Sequence, residues 1–142
     1  PRERMAQTSS RCRCVLCRMR AEGPVSPSAN HTSVLQERLI DALGADAVKT
    51  EPEDLSVYSF DAYSQARKPA AVVLPASARD VSAAVRIARE CGEPIVPRGA
   101  GTGLCGAAVP ADGGVVISFA RMNRLLELDT RNRRAHIQPA HR

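Results

Sequence analysis

The feature that most constrains this sequence is a glycine-rich stretch, residues 97–106, which reads PRGAGTGLCG. Four glycines within eight positions argue against a helix or a strand, because glycine loses more conformational freedom on ordering than any other residue. Without Cβ atoms, successive backbone N–H groups can turn inward and form a concave nest for an anion. Thr102 adds a hydroxyl donor, and Arg98 offers either a charge for phosphate groups or an anchor for the loop. The stretch therefore predicts a loop that receives a phosphorylated ligand.

Three other interpretations of the loop can be weighed against its surroundings. Residues 101–106 match the GxGxxG fingerprint of Rossmann folds, but that fingerprint requires a helix starting at the loop. Pro110, Gly113 and Gly114 come next instead and do not permit a helix of useful length. A Walker A loop requires Gly-Lys-Ser/Thr, and the stretch contains no lysine. A connection that binds nothing stays open, although the expected place of the loop, after a parallel strand, favours a ligand.

The apolar pattern before the loop predicts a βαβ unit, in which the two strands are parallel. Ser77 and Asp80 have the spacing of a capping box, and Gly92 follows as a helix stop. The predicted elements are a strand over residues 71–74, a helix with Val81, Ala84, Val85 and Ala88 on one face, and a strand over residues 95–96.

The flanking sequence predicts four further segments. Ser33 and Gln36 have capping-box spacing, and leucines at 35, 39 and 43 precede Gly44, so a helix is predicted over residues 34–43. The next segment, to residue 69, has weak periodicity and is predicted to be irregular. Residues 114–118 predict a third strand. Residues 125–129 and 135–138, on either side of a polar turn, predict a β-hairpin.

The charge distribution bears on the class of partner. The 142-residue chain has a formal net charge of +5, and many of its arginines lie near the two ends. No aromatic residues are interleaved with these basic runs, as a platform for stacking bases would require. The sequence therefore predicts no nucleic-acid binding, although a small basic binding module that uses the amino-terminal arginines stays open. No apolar run is long enough for a transmembrane helix.

Residues 1–30 differ in character from the rest and are predicted to be a disordered or spurious extension, whereas residues 31–142 are predicted to form one partial domain. Cys12, Cys14 and Cys17 could supply three ligands of a zinc or iron–sulfur site, but a closed site needs four, so no metal is predicted. With Cys91 and Cys105 the cysteines number five, which argues against a secreted disulfide scaffold. Reduced thiols in a cytoplasm are expected instead.

The order of strand, helix and glycine-rich loop resembles the FAD-linked oxidase family, whose cofactor fold is named for vanillyl-alcohol oxidase and p-cresol methylhydroxylase. The likeness is strongest to the glycolate oxidase flavin subunit and to FAD-linked D-lactate dehydrogenases. Residues 95–110 resemble the family's pyrophosphate loop, and residues 112–129, DGGVVISFARMNRLLELD, resemble the segment that comes after this loop in the family. The resemblance covers residues 34–139. It implies an α+β fold, the first subdomain of a vanillyl-alcohol-oxidase-type FAD-binding domain with a truncated start of the second.

The resemblance implies FAD as the cofactor and places its diphosphate on the main-chain amides of residues 98–103. Residues 104–106 would run toward the ribityl chain and the flavin, and Pro75 would lie near the adenine. Some relatives attach the flavin through a histidine at the position of Thr102, so non-covalent FAD is expected here. Cys105 could be redox-active beside a flavin or, as expected, an inert packing residue. The implied cofactor-binding residues are Pro75, Pro97, Arg98, Gly99, Ala100, Gly101, Thr102, Gly103, Leu104, Cys105 and Gly106.

By the same resemblance, the whole enzyme would oxidise a 2-hydroxy acid of the glycolate or D-lactate type by hydride transfer to the flavin. The family's substrate-binding and proton-abstracting groups lie in a part this chain lacks, so no catalytic residue is assigned. The chain is expected to be an amino-terminal fragment, inactive alone and cut near Arg142. Partner subunits or a peripheral membrane electron acceptor would belong to the full-length enzyme. The alternatives are a non-enzymatic remnant and the basic binding module.

Overall fold

The structure, a computed structural model, describes residues 29–61, 67–110 and 113–141. The Cys12, Cys14 and Cys17 cluster lies outside these residues. In chain order the elements are α1 (Ala29–Leu43), a 3-10 turn (Ala45–Ala47), β1 (Val48–Lys49), α2 (Pro52–Val57), β2 (Ala71–Val73), α3 (Ala78–Glu90), β3 (Ile95–Arg98), β4 (Val115–Ser118), a second 3-10 turn (Phe119–Arg121), β5 (Leu125–Asp129) and β6 (Arg134–Ile137).

The strands form two separate sheets within the described residues. One sheet has four strands in the order β1-β2-β4-β3, and the other is the β5-β6 hairpin. Strands β2 and β3 both pair with β4 in parallel, whereas β1 pairs antiparallel with β2. The parallel βαβ unit is therefore confirmed, with β4 lying between its two strands. The hairpin is confirmed as well and pairs Leu128 with Ala135.

Helix α3 begins at the predicted capping box. The Ser77 hydroxyl accepts a hydrogen bond from the Asp80 amide at 3.3 Å, and an Asp80 carboxylate oxygen accepts one from the Ser77 amide at 3.0 Å. The same carboxylate accepts a bond from the Ala76 amide at 3.0 Å. Hydrogen bonds from these backbone groups, that of Ala76 first, hold the pKa of Asp80 below its usual value. Three backbone donors at or just before the start of the helix, the amides of Ala76, Ser77 and Asp80, are thus satisfied.

Helix α3 ends in a Schellman motif. The Glu93 amide donates to the Ala88 carbonyl at 2.9 Å, and the Gly92 amide donates to the Arg89 carbonyl at 3.1 Å. Gly92 has a φ of +72°, in the left-handed region that favours glycine. The predicted helix stop is therefore confirmed, and it turns the chain directly toward β3.

Replacing Ser77 with alanine should lower the free energy of unfolding by about 1 kcal/mol, because the Asp80 amide loses its cap. Chemical denaturation followed by circular dichroism measures the change. Ser82→Ala is the matched control, since Ser82 is exposed within α3 and alanine is the best helix former. Equal losses of stability in the two variants would contradict the capping role.

The main core lies between one face of the four-stranded sheet and helices α1 and α3. Alternate residues of a strand point to opposite faces, so Ala71 and Val73 face this core while Val72 faces away. On the opposite face, Val72 and Val116 contact Leu55 of α2. The sheet is thus covered on both faces. The buried residues of the main core are Leu35, Leu39, Val48, Ala70, Ala71, Val73, Ala84, Ile87, Ala88, Val115 and Ile117.

Two predictions about the helices are wrong in detail. Helix α1 already includes Ala29, so Ser33 and Gln36 lie inside it and do not form a capping box. The Gln36 side-chain amide instead donates to the Ala70 carbonyl at 2.7 Å and ties α1 to the start of β2. On α3, Val85 is exposed, and Ile87 contributes to the core in its place.

The prediction of irregular structure up to residue 69 is also wrong for part of that segment. It contains β1 and α2, which are two and six residues long. Pro52 occupies the first turn of α2, where its missing N–H costs nothing. Elements this short bury one or two residues each and leave little periodicity to read. No helix in the described ranges has the length and hydropathy needed to cross a bilayer.

Candidate functional site

The glycine-rich loop leaves the carboxyl end of β3, an edge strand of the four-stranded sheet. Because β2, β4 and β3 are parallel, their carboxyl ends lie at one edge, where open α/β sheets bind ligands. Strand β3 extends two residues beyond the prediction, so Pro97 and Arg98 belong to the strand and pair with Ile117 and Ser118. A proline within a strand fits this edge position. The loop proper therefore begins at Gly99.

The loop backbone is neither helix nor strand. Gly101 and Gly106 have φ values of +74° and +76°, in the left-handed region. Within the described part of the chain, no amide of residues 99–105 donates a hydrogen bond to another residue. The amides of Gly106 and Val109 do donate, the latter to the Gly106 carbonyl at 3.1 Å. Among the described residues, seven consecutive amides thus have no acceptor, and backbone N–H groups in such a row can form a nest for an anion.

Arg98 stands at the start of this loop with its side chain turned inward. The residue is only 8% exposed, and Nη1 donates to the Phe60 carbonyl at 2.7 Å and to the Ala108 carbonyl at 3.3 Å. Its guanidinium also lies over the Tyr58 ring, 5.7 Å from the ring centroid. Of the two roles that the sequence left open for Arg98, these contacts favour the anchor.

Gly101 packs directly against that guanidinium. A Cβ atom built at Gly101 would lie 2.3 Å from Arg98 Nη2, which no real contact tolerates. By contrast, a Cβ at Gly99 or Gly103 would meet no atom within 4 Å. The glycines therefore differ in role: Gly101 makes room for the anchor, whereas Gly99 and Gly103 border open space.

Asp61 holds the far end of the loop. Its side chain is buried, and Oδ2 accepts a hydrogen bond from the Gly106 amide at 3.0 Å. Among the predicted site residues, Gly106 therefore has its N–H engaged by the protein. Nothing in the sequence around Asp61 pointed to this contact, which joins residues 45 positions apart.

A cavity of about 560 Å³ opens beside Gly99 and Ala100. Its opposite wall comes from the segments that flank the hairpin, and His141 Nδ1 lies 3.0 Å from the Asn123 carbonyl there. Sequence reasoning assigned no role to Asn123 or His141, because neither belongs to a motif. The residues that line the cavity are Gly99, Ala100, Ala120, Asn123, Pro139, Ala140 and His141.

The remaining predicted site residues differ in their exposure to solvent, since those on the loop are exposed and Pro75 is buried. Thr102, Leu104 and Cys105 are exposed on the loop, and Cys105 is a free thiol. Pro75, just after β2, is fully buried at the same sheet edge as the loop. A smaller cavity, of about 410 Å³, adjoins Leu74 and Ala76 on either side of it. Pro75 therefore shapes that edge through its packing.

The sequence is similar to proteins of known families. Residues 69–142 match the family model described as an FAD binding domain. The chain is 39% identical, over 109 residues, to the glycolate oxidase subunit GlcD of Bacillus subtilis, covering 76% of this chain and 23% of that protein. It is 40% identical, over 80 residues, to a D-lactate dehydrogenase of Anaerostipes hadrus, covering 56% of this chain and 17% of that protein.

The structure is similar to that of p-cresol methylhydroxylase with substrate bound, with a TM-score of 0.64 and 25% sequence identity. The match covers 75% of this chain and 22% of the methylhydroxylase chain. The chain thus spans about a quarter or less of the length of each of these three proteins.

Proposed function

This chain belongs to the FAD-binding domain family of FAD-linked oxidoreductases, as its sequence predicted, and from that membership we propose that its glycine-rich loop holds the diphosphate of FAD. The fold is the first subdomain of the domain type found in p-cresol methylhydroxylase. FAD is therefore the cofactor, and the proposal concerns which residues hold it and what the complete enzyme does.

The observation that carries the proposal is a row of amides, in residues 99–105, that donate no hydrogen bond within the described part of the chain and lie at the carboxyl edge of a parallel sheet. A diphosphate needs several donors within hydrogen-bond reach and backbone that it can approach closely. Gly99 and Gly103 permit that approach, because each has no side chain and borders open space. The cavity beside Gly99 and Ala100 gives the rest of the cofactor a place to extend.

In this proposal the amides of residues 99–103 hold the diphosphate, and the Thr102 hydroxyl adds a donor. Leu104 and Cys105 continue toward the ribityl chain. When bound, FAD would supply the hydride acceptor, its flavin ring. By the resemblance to the FAD-linked oxidase family, Thr102 corresponds to the position at which some members attach the flavin through a histidine, so we propose that FAD is bound non-covalently.

We propose that the complete enzyme oxidises a 2-hydroxy acid, because the similar proteins are named for glycolate and D-lactate. This chain supplies the hold on the cofactor, and on its own it is expected to be inactive toward such substrates. Partner subunits or a peripheral electron acceptor would act with the complete enzyme. A reducing cytoplasm fits the free thiols of Cys91 and Cys105.

The test is a titration of the purified chain with FAD, followed by flavin fluorescence and absorbance. FAD should bind, and ADP should compete because it carries the same diphosphate. Riboflavin, which has no phosphate, should bind at least about tenfold more weakly than FAD, since charge-assisted bonds to the amides are lost. Riboflavin binding as tightly as FAD would overturn the assignment, as would a colourless chain that takes up no FAD.

Replacing Gly103 with alanine tests the loop itself. The added methyl meets no protein atom, so the free energy of unfolding should stay within about 0.5 kcal/mol of the original. The methyl would stand where the diphosphate approaches, and FAD should bind about tenfold more weakly. Ser82→Ala, on the exposed face of α3, is the control for affinity. Unchanged FAD affinity in Gly103→Ala would place the diphosphate elsewhere.

A further inference from the structure

Residues 58–61, here called the clamp segment, contact both ends of the glycine-rich loop. At the start of the loop, Arg98 Nη1 donates to the Phe60 carbonyl at 2.7 Å, and its guanidinium lies over Tyr58. At the end of the loop, the Gly106 amide donates to Asp61 Oδ2 at 3.0 Å. Adjacent residues, Phe60 and Asp61, thus fix the two ends of a loop whose middle amides make no bond within the described residues.

The clamp segment is itself held in place by α2. The Ser59 hydroxyl donates to the Ser56 carbonyl at 2.7 Å, and the Ser59 amide donates to the same carbonyl at 3.3 Å. Leu55 anchors α2 by packing against Val72 and Val116 in the parallel strands. A continuous path of contacts therefore runs from the sheet through α2 to both ends of the loop.

The chemistry of Asp61 points to positioning and away from ligation. An ionised carboxylate repels a diphosphate and has no hydrogen-bond donor to offer it, so as a carboxylate Asp61 is not a ligand of the anion. Asp61 is only 5% exposed, and its Oδ2 accepts a hydrogen bond from one loop amide, that of Gly106. A bond from an amide to a carboxylate is about twice as strong as one to a neutral acceptor, so it can hold Gly106 in its left-handed conformation.

We propose that Asp61 is a positioning residue that keeps the loop amides converged on the FAD diphosphate by fixing Gly106. The inference rests on the proposed function, because it names a further residue of the same site. A residue that only stabilised the fold would affect FAD binding through unfolding. Asp61, by contrast, would affect the geometry of residues 99–105 even in a chain that is fully folded.

The test compares Asp61→Ala with Asp61→Asn, which keeps a neutral oxygen acceptor. Amide hydrogen exchange at Gly106 should be about tenfold to a hundredfold faster in Asp61→Ala and faster by a smaller factor in Asp61→Asn. FAD affinity should fall in the same order, at a temperature at which circular dichroism shows each variant folded. Should Asp61→Ala fail to fold, Asp61→Asn decides the matter by the same two measurements.

The outcomes separate this inference from the proposed function. Wild-type exchange and wild-type FAD affinity in folded Asp61 variants would overturn the positioning role. Equal losses in Asp61→Ala and Asp61→Asn would overturn it too, because a neutral oxygen acceptor at the same position would then preserve none of the effect of the Gly106 hydrogen bond. If the original chain bound no FAD, the proposed function would fail, and hydrogen exchange at Gly106 would still decide whether Asp61 orders the loop.

Discussion

Replacing Gly101 with alanine is expected to lower the free energy of unfolding by about 2 to 4 kcal/mol. Two causes add. Gly101 has a φ of +74°, where a Cβ atom crowds the following carbonyl and costs about 1 to 2 kcal/mol. The new methyl would also lie 2.3 Å from Arg98 Nη2, so the guanidinium or the loop backbone must move. Arg98 cannot move without cost, because its Nη1 donates to two carbonyls.

Equilibrium denaturation in urea measures this loss, and Gly103→Ala is the matched control in the same loop. Its methyl meets no protein atom and its φ is not left-handed, so its stability should stay within about 0.5 kcal/mol of the original. Comparing Gly101→Ala with Gly103→Ala also separates two ways in which a substitution in the loop can weaken FAD binding. Gly101→Ala should weaken binding through disorder of the apo loop, whereas Gly103→Ala acts only where the ligand approaches. Equal stabilities of the two variants would contradict the packing of Gly101 on Arg98.

Local sequence signals sufficed for the elements whose chemistry is local. Ser77 and Asp80 are three residues apart, and the capping box they form was predicted from that spacing alone. The glycine-rich loop was likewise predicted where it occurs, since a high density of glycine identifies irregular backbone without knowledge of the fold. The resemblance to a family then named the ligand, which the loop by itself could not do.

The contacts that hold the loop depend on long-range packing and escaped prediction. Arg98 meets Phe60, 38 residues away, and Gly106 meets Asp61, 45 residues away. Both contacts require α2 to lie on the far face of the sheet, and α2 is too short to show an amphipathic period. The sequence left Arg98 with two roles because its partners are backbone carbonyls, which carry no side-chain signature. The exposed position of Val85 escaped prediction for a similar reason, since helical spacing fits Ile87 equally well.

Arg98→Ala is expected to lower the free energy of unfolding by about 3 kcal/mol or more. The carbonyls of Phe60 and Ala108 would lose a charged donor, and each such bond contributes about 1.5 to 3 kcal/mol. Arg98→Lys should recover only part of this, because an ammonium cannot reproduce the planar fork or the stacking over Tyr58. Thermal denaturation provides the measurement. Arg86→Ala, at an exposed position of α3, is the control and should change stability by less than about 0.5 kcal/mol.

The two largest effects should not add, because they share one contact. Once Arg98 is alanine, a methyl at Gly101 no longer meets a guanidinium, and its cost should fall to the backbone share of about 1 to 2 kcal/mol. The loss of stability in the double variant should therefore be smaller than the sum of the two single losses, by about 1 kcal/mol or more. Strict additivity would mean that the guanidinium moves aside without cost when Gly101 is alanine. The hydrogen bonds of Arg98 to the Phe60 and Ala108 carbonyls would then contribute little to holding the guanidinium in place. Coupling of the expected sign would instead establish that the glycine and the arginine act as one unit. The absence of a side chain at Gly101 would then be what lets the buried Arg98 guanidinium order the loop backbone.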